Sequence, residues 1–117
     1  GIAKILSGDT GATKTGLMMG TLNYMAPEQI RSSGEVDGRA DIYSVGVILY
    51  QMFTGRLPFP VDNPGALMLA HLQQPAPDPR SVNPQVPEMA ACAILRALEK
   101  EPEDRFPTAG ALAGALE

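Results

Sequence analysis

Two carboxylates with contrasting sequence neighbours are the residues best suited to take part in chemistry. Glu28 closes a polar segment, residues 20–28, that glycine and proline interrupt. Asp41 stands directly before the longest apolar run of the chain, residues 42–53. An unpaired buried charge costs several kcal/mol, so a carboxylate next to apolar residues needs hydrogen-bond donors, an opposite charge or solvent. Both carboxylates are therefore expected to have defined partners or to remain exposed.

Nucleophilic and metal chemistry have little support in the sequence. The chain has one histidine, His71, and one cysteine, Cys92, whereas metal sites and catalytic triads need several such groups. No disulfide can form within the chain, which permits a reducing compartment. Cys92 is predicted to be a small core residue beside a helix face, and His71 a packing or surface residue.

Composition limits the class of partner. The 117 residues are 44% hydrophobic and 19% charged, as in one soluble globular domain. The net charge of −4 and the scattered basic residues argue against nucleic acid or an anionic membrane as partner. The run 42–53 is shorter than the roughly 20 residues of a membrane-spanning helix, so it predicts a buried helix. The first residue is Gly, without a signal-peptide pattern, and we expect a fragment or processed product.

The apolar periodicity predicts a mainly α fold with four principal helices. The first covers about 39–54, because sixteen residues exceed an ordinary strand, and it is expected to be buried on most sides. Its predicted apolar face comprises Ile42, Val45, Leu49, Met52 and Phe53. Gly55 is placed to end this helix in a left-handed conformation. The other helices are predicted at about 64–73, 88–100 and 108–116, from caps at Asn63 and Thr108 and from apolar spacing at Ala91, Ile94, Leu95 and Leu98.

The remaining segments are predicted to be irregular or short. Residues 1–6 suit a short strand, and residues 7–16 a polar loop with three threonines. Pro27 suits the first turn of a short helix that continues to Arg31. Five prolines between positions 75 and 87 are expected to keep that connector extended.

Four motifs in order resemble those of one enzyme family. Residues 20–28 (GTLNYMAPE) resemble the end of the activation segment of a eukaryotic-like, bacterial Hanks-type Ser/Thr protein kinase, and residues 41–46 (DIYSVG) the start of its central helix. Residues 54–59 (TGRLPF) match the exit of that helix, and residues 101–105 (EPEDR) the turn before the last helix. The resemblance implies the helical part of a kinase large lobe, from the Gly of an Asp-Phe-Gly motif to the last helix.

The resemblance assigns structural roles to three charged residues. Glu28 and Arg105 correspond to a buried ion pair that ties the activation segment to the last helices; the alternative is two solvated surface charges. Asp41 corresponds to a carboxylate that accepts backbone hydrogen bonds from the catalytic loop. Its alternative role is that of a capping residue near the helix start, which also stabilises the helix through its dipole.

The resemblance also singles out hydroxyl groups. Thr21 corresponds to the threonine that contacts catalytic-loop side chains and marks Ser/Thr specificity. Thr13 and Thr15 occupy the positions of paired autophosphorylated threonines, with Thr10 a weaker third candidate. A phosphate there would add nearly two negative charges and order the loop against arginines. The alternative for Thr21 is a threonine that merely ends a loop, and for the other three it is ordinary threonines in a solvated loop.

Other family motifs do not occur in the sequence. It has no glycine-rich loop, no strand lysine and no His-Arg-Asp catalytic loop with its asparagine. We therefore expect a partial kinase domain, with residues 1–28 as activation segment and 29–117 as helical subdomain, that is inactive alone and binds neither ATP nor Mg²⁺ by itself. The parent would use ATP and Mg²⁺ to phosphorylate protein Ser or Thr in the cytoplasm, free or anchored to a membrane. The alternative is a non-catalytic interaction module, a truncation or pseudokinase remnant. An exposed face of the central helix is expected to cause self-association.

Overall fold

The computed structural model describes residues 20, 22–31 and 36–117. Its helices are α1 (Pro27–Arg31), α2 (Arg39–Thr54), α3 (Pro64–Gln73), α4 (Pro79–Val82), α5 (Glu88–Ala97), a 3-10 helix (Pro102–Asp104) and α6 (Ala109–Leu116). The described ranges contain no strand, so the predicted mainly α class is confirmed. The strand predicted at residues 1–6 and the loop at 7–16 lie outside the described residues.

The long helix α2 lies at the centre of the core and has the predicted bounds. Its innermost stripe is Tyr43, Val47 and Tyr50, which packs with Ile94 and Leu98 of the α5 region. Ile42, on a neighbouring stripe of α2, belongs to a second cluster. The other members are Ala93 and Ala97 of α5, Phe106, and Leu112 of α6. The prediction is wrong for one residue of the apolar face, because Met52 is 73% exposed. A helix that is apolar nearly all round does not reveal which of its sides the rest of the chain covers.

The predicted caps of the helices are confirmed. Asn63 accepts a hydrogen bond from the Ala66 N–H at 3.1 Å, and Thr108 accepts one from the Ala111 N–H at 3.0 Å. Gly55 ends α2 with φ of 76°, a left-handed conformation that favours glycine. These short-range signals set the start of α3 and α6 and the end of α2.

Two predicted boundaries differ from the structure. The connector between positions 75 and 87 is not wholly extended, because Asp78 accepts a hydrogen bond from the Arg80 N–H and caps the one-turn helix α4. Helix α5 ends at Ala97 rather than at residue 100. The carbonyl groups of Glu99 and Lys100 instead accept hydrogen bonds from the Arg105 side chain. Hydrogen bonds from one side chain therefore replace the last predicted turn.

The prediction that Cys92 is a core residue is wrong, because its side chain is exposed. Helix α5 buries the stripe Ala90, Ala91, Ala93, Ile94 and Ala97. Cys92 lies on the other side of the helix and, with Met89 and Arg96, lines an open surface groove of about 460 Å³. None of the helices in the described part of the chain has the length and apolarity needed to cross a membrane.

Gly46 lies where α2 packs closely against the end of α5. A Cβ atom at this position would lie 2.9 Å from the Ala97 Cβ and 3.1 Å from the Leu98 Cδ2. We expect Gly46→Ala to lower the free energy of unfolding by about 1–3 kcal/mol, because overpacking outweighs the gain in helix propensity. Denaturant unfolding measures the effect. Gly114→Ala, where a Cβ meets open space, is the control and is expected to be neutral or stabilising; equal losses in both variants would contradict the packing argument.

Candidate functional site

The site is built on an ion pair between residues 77 positions apart in the sequence. Arg105 Nη1 donates to Glu28 Oε2 and Arg105 Nη2 donates to Glu28 Oε1, each at 2.7 Å. The Arg105 side chain is fully buried and that of Glu28 is 13% exposed. The two groups are therefore not solvated surface charges. This two-pronged geometry is the strongest form of a carboxylate–guanidinium contact.

Backbone oxygens satisfy the rest of the Arg105 side chain. Its Nε donates to the Glu99 carbonyl at 2.7 Å, Nη1 to the Arg39 carbonyl at 2.9 Å and Nη2 to the Lys100 carbonyl at 3.1 Å. A guanidinium has five N–H donors, and all five are used here. Arg105 thus connects α1, the start of α2 and the segment after α5 through one buried group.

The Glu28 carboxyl is held in its charged form. Burial would raise its pKa, but the hydrogen bonds from Arg105 and the positive charges of Arg105 and Arg31 outweigh burial and lower it below its ordinary value. Glu28 also lies in the first turn of α1, where the helix dipole favours negative charge. The pair is therefore ionised at neutral pH.

The segment that precedes Glu28 is fastened to the central helix. Ser44 Oγ on α2 donates to the Tyr24 carbonyl at 2.5 Å, and Tyr24 Oη donates to Gln51 Oε1 at 2.9 Å. At the end of the segment, Gln29 Oε1 accepts from the Ala26 N–H at 2.8 Å, as the reciprocal half of a capping box does. Residues 22–28 are thus presented as a defined surface on the helical body.

A buried histidine extends this network. His71 on α3 has no exposed surface, and its Nδ1 lies 2.7 Å from Tyr43 Oη. The Arg105 Cζ lies 5.0 Å from the centre of the same tyrosine ring, within the range of a cation–π contact. Burial lowers the pKa of His71 to about 4, and the nearby backbone of Leu22 opposes this shift. His71 is therefore neutral at neutral pH, in a packing role rather than on the surface.

Lys100 closes the other side of the same cluster. Its Nζ donates to the Ala70 carbonyl at 3.1 Å and lies 4.6 Å from the centre of the Phe59 ring, which in turn packs edge-on against His71. Burial is the largest cause that lowers the pKa of Lys100 to about 8. The contact with the C-terminal part of α3 suits a cation.

The other candidate residues from the sequence take no part in this hydrogen-bond network within the described residues. Asp41 lies in the first turn of α2 with an exposed side chain and accepts no hydrogen bond from the described residues. The N-cap of that helix is Gly38, so Asp41 does not cap it through its side chain, although its charge suits the helix dipole. The hydroxyl candidates Thr10, Thr13, Thr15 and Thr21 all lie outside the described residues.

Side chains that could bind a metal ion are not clustered in the described part of the chain. No three His, Cys, Asp or Glu side chains there are grouped as a metal ion would require. The described geometry is that of a held polypeptide segment, with a buried ion pair at one end and hydroxyl-to-backbone bonds along it.

Comparison with known proteins gives this geometry its context. Residues 1–114 match the family described as the protein kinase domain. The chain belongs to the protein kinase family. Over all 117 residues it is 48% identical to the serine/threonine-protein kinase Pkn1 of Myxococcus xanthus, and over 98 residues, 84% of the chain, 46% identical to the serine/threonine-protein kinase PksC of Streptomyces coelicolor.

One relative is named as a tyrosine-protein kinase rather than a serine/threonine-protein kinase. Over 105 residues, 90% of this kinase chain, it is 47% identical to the tyrosine-protein kinase MasK of Myxococcus xanthus. The aligned region is 17% of Pkn1, 17% of PksC and 16% of MasK, so the chain spans about a sixth of the length of these curated relatives. Members of the family use ATP and Mg²⁺ in their full-length form.

Sequence reasoning missed two residues of the buried network around Arg105. His71 had no partner at helical spacing, since Tyr43 and Phe59 are brought to it by the fold. For Lys100 the pattern predicts only the end of the helix at about 88–100. The only signal for His71 is a polar side chain between apolar neighbours, which does not distinguish burial from exposure, and Lys100 between Glu99 and Glu101 carries no signal of burial.

Proposed function

We propose that this chain is the activation-segment and substrate-positioning part of a Ser/Thr protein kinase that transfers the ATP γ-phosphate to protein Ser or Thr. The observation that carries the proposal is the bidentate Glu28–Arg105 pair, which holds segment 22–28 against the helical body. Phosphoryl transfer depends mainly on positioning, so a rigidly held segment beside the reacting groups is what the reaction requires. In this view residues 1–28 form the activation segment and residues 29–117 the helical subdomain.

Three further residues receive roles under this proposal. Thr21 would contact the catalytic loop next to the chemistry. Asp41 would accept backbone hydrogen bonds from the same loop, and its exposed, unpaired carboxylate in the described structure leaves it free to do so. Residues outside this sequence would bind the nucleotide and Mg²⁺ and would supply the catalytic base. We propose that the chain alone is inactive.

The proposed partners follow from the same placement. The substrate would be a protein segment that docks on residues 20–28, in the cytoplasm, with the kinase free or anchored to a membrane. We also propose that the isolated chain self-associates through apolar surface at α2, where Met52 is 73% exposed. Size-exclusion chromatography with light scattering tests this, and a strictly monomeric chain without binding of an apolar dye would contradict it.

The decisive experiment uses the longer protein that the gene encodes. Incubation with ATP, Mg²⁺ and a protein substrate, followed by phosphoamino acid analysis, is expected to yield phosphoserine and phosphothreonine. Phosphotyrosine alone would place the protein with the specificity named for MasK. Absence of any transfer would leave the chain as a non-catalytic interaction module.

The threonines of the activation segment give a second test. We propose that Thr13 and Thr15 are phosphorylated in the active enzyme, where a phosphate can bind arginines and order the segment. Changing both to Ala is expected to lower activity by about 5- to 150-fold, the range of a typical coupling free energy. Thr10→Ala, the weaker candidate, serves as the comparison. Mass spectrometry that finds both sites unmodified in active enzyme would rule the proposal out.

A further inference from the structure

The C-terminal end of α3 needs a positive charge that its own sequence does not supply. The helix contains neither Lys nor Arg, and the basic side chain of its last turn, His71, is buried and neutral. Its closing backbone hydrogen bond runs from the Gln74 N–H to the Ala70 carbonyl at 2.9 Å, and Pro75, which has no N–H, follows. Because the last carbonyls of a helix carry partial negative charge, a cation from elsewhere in the chain is favoured here.

Lys100 supplies that cation from the segment that follows α5. Its Nζ donates to the Ala70 carbonyl at 3.1 Å, the same oxygen that the Gln74 N–H binds. The ammonium also lies 4.6 Å from the centre of the Phe59 ring, within the range of a cation–π contact. Phe59 is 2% exposed and Ala70 is 5% exposed, so Lys100 makes these contacts at the edge of the core. Solvent screens such a part-buried charge less than an exposed one.

The helix that Lys100 holds supports the first part of the segment 22–28. One buried apolar cluster joins α3 to this segment, and its members are Leu22, Phe59, Leu67 and Ala70. Met25, also of the segment, packs against the same cluster. A displacement of α3 would therefore remove the packing beneath the residues 22–25.

The backbone of Lys100 is connected to the other end of the segment. Its carbonyl accepts a hydrogen bond from Arg105 Nη2 at 3.1 Å, and the same nitrogen donates to Glu28 Oε1 at 2.7 Å. One residue thus contacts both supports of the segment. Its side chain contacts α3, which packs against Leu22, and its carbonyl contacts the arginine that binds Glu28.

We propose that Lys100 is a positioning residue that couples the two ends of the segment 22–28, its ammonium fixing α3 and its carbonyl fixing Arg105. The inference deepens the proposed function and rests on it, because this segment is the surface on which the protein substrate would dock. A surface that is fixed before binding loses less freedom when the substrate arrives. The expected effect of Lys100 is therefore on the binding of the protein substrate.

Two matched substitutions isolate the ammonium group. Lys100→Met keeps an unbranched stem of similar length beside Phe59 and leaves the backbone carbonyl in place, but it removes the charge and the donor. Arg80→Met removes an exposed positive charge from α4 and is the control for net charge. A difference between the two variants therefore reports the contacts of Lys100 rather than the charge of the chain.

Backbone hydrogen exchange has natural reporters at both places. The Gln74 N–H, on the Ala70 carbonyl, reports the end of α3. The Met25 N–H donates to the Leu22 carbonyl at 3.2 Å and reports the segment. The reference is the Leu112 N–H of α6, which belongs to a different core cluster.

We expect Lys100→Met to speed exchange at Gln74 and Met25 by about tenfold relative to Leu112, and Arg80→Met to leave all three amides unchanged. Equal acceleration at Leu112 would show a general loss of stability and would overturn the proposal. Acceleration at Gln74 alone would also overturn it, because Lys100 would then hold α3 without any effect on the segment.

A double substitution tests the coupling to the Glu28 end. Glu28→Gln weakens the hold on Arg105 and is expected to speed exchange at Gln74. The factor is expected to be smaller when Lys100→Met is already present, because changes at coupled contacts are not additive. Equal factors in both backgrounds would show that the two contacts act independently and would contradict the coupling.

The unsubstituted protein gives a test that does not require any variant to fold. Burial is the largest cause that lowers the pKa of Lys100 to about 8; the charge of Arg105 adds to this shift and that of Glu99 opposes it. An NMR titration of the Lys100 side chain is expected to show this low value. A titration near the ordinary value of 10.5 would place the ammonium in solvent and would refute the proposal.

Kinetics of the longer kinase connect this role to the reaction. Lys100→Met is expected to raise KM for a protein substrate about fivefold or more, with kcat and the KM for ATP changed by less than about twofold. Loss of folded enzyme would instead lower the apparent kcat with both KM values unchanged, and that result would contradict the positioning role. An unsubstituted longer protein that transfers no phosphate would refute the proposed function, and the exchange and titration measurements would still decide whether Lys100 couples the two ends.

Discussion

Replacing Arg105 by lysine is expected to lower the free energy of unfolding by about 3–5 kcal/mol, the cost of breaking a buried ion pair from one side. A lysine ammonium has three donors at one point, whereas the guanidinium here serves both oxygens of Glu28 and three backbone carbonyls. The substitution keeps the charge but loses the geometry. Denaturant unfolding followed by circular dichroism measures the change.

The structure provides a matched control for this substitution. Arg39 pairs with Asp37 through a similar set of hydrogen bonds, the shortest 2.9 Å, but the two side chains are 36% and 53% exposed. Arg39→Lys is expected to leave stability almost unchanged, because solvent screens exposed pairs. A loss at Arg105 no larger than that at Arg39 would contradict the importance given to burial.

A double substitution separates the ion pair from the carbonyl contacts. Buried ion pairs can often be replaced by apolar residues without loss, since removing both charges removes the desolvation cost. In this chain the carbonyls of Arg39, Glu99 and Lys100 would still lose their donors. Glu28→Met with Arg105→Met is therefore expected to remain destabilised by about 1–3 kcal/mol, the penalty of unsatisfied buried groups. Full recovery would show that the carbonyl contacts contribute little.

Local signals predicted helices well and tertiary contacts poorly. Asn63 and Pro64 predicted the start of α3, and the same signal at Asp78 and Pro79 was outweighed by the other prolines of the connector, so α4 was missed. The early end of α5 has no local signal. It depends on Arg105, whose hydrogen bonds to residues 99 and 100 replace the backbone pattern of a helix.

The candidate site shows the same difference between local signals and contacts made by the fold. The motifs selected Glu28 and Arg105, and the structure brings them together across 77 residues. The burial of His71 depends on Tyr43, 28 residues away, and its own segment carries no polar neighbour that would reveal it. Periodicity in α5 identified the buried stripe at Ala91 and Ile94 but assigned Cys92 to the wrong side, since a small apolar-like residue next to a stripe fits either face.

Stability is expected to fall by on the order of 3 kcal/mol as the pH is lowered from 6.5 to 4, because His71 is buried in its neutral form. Its pKa is about 4 in the folded protein, against an ordinary value of 6.5. Between these values the unfolded chain binds a proton that the folded chain does not, so protonation favours unfolding. Well above pH 6.5 both states are neutral at this residue and the contribution is constant.

The upper part of that window isolates the imidazole. His71 is the only histidine of the chain, Lys100 titrates near pH 8 or above, and the lowered pKa of Glu28 makes its stabilisation fall away only below its ordinary value of 4.5. Urea unfolding at pH 6.5 and pH 5 is therefore expected to differ by about 2 kcal/mol in the unsubstituted protein. His71→Gln cannot titrate in this range and should show little difference between the two pH values. The same pH dependence in the glutamine variant would mean that another group causes it, and the buried neutral imidazole would lose its energetic role.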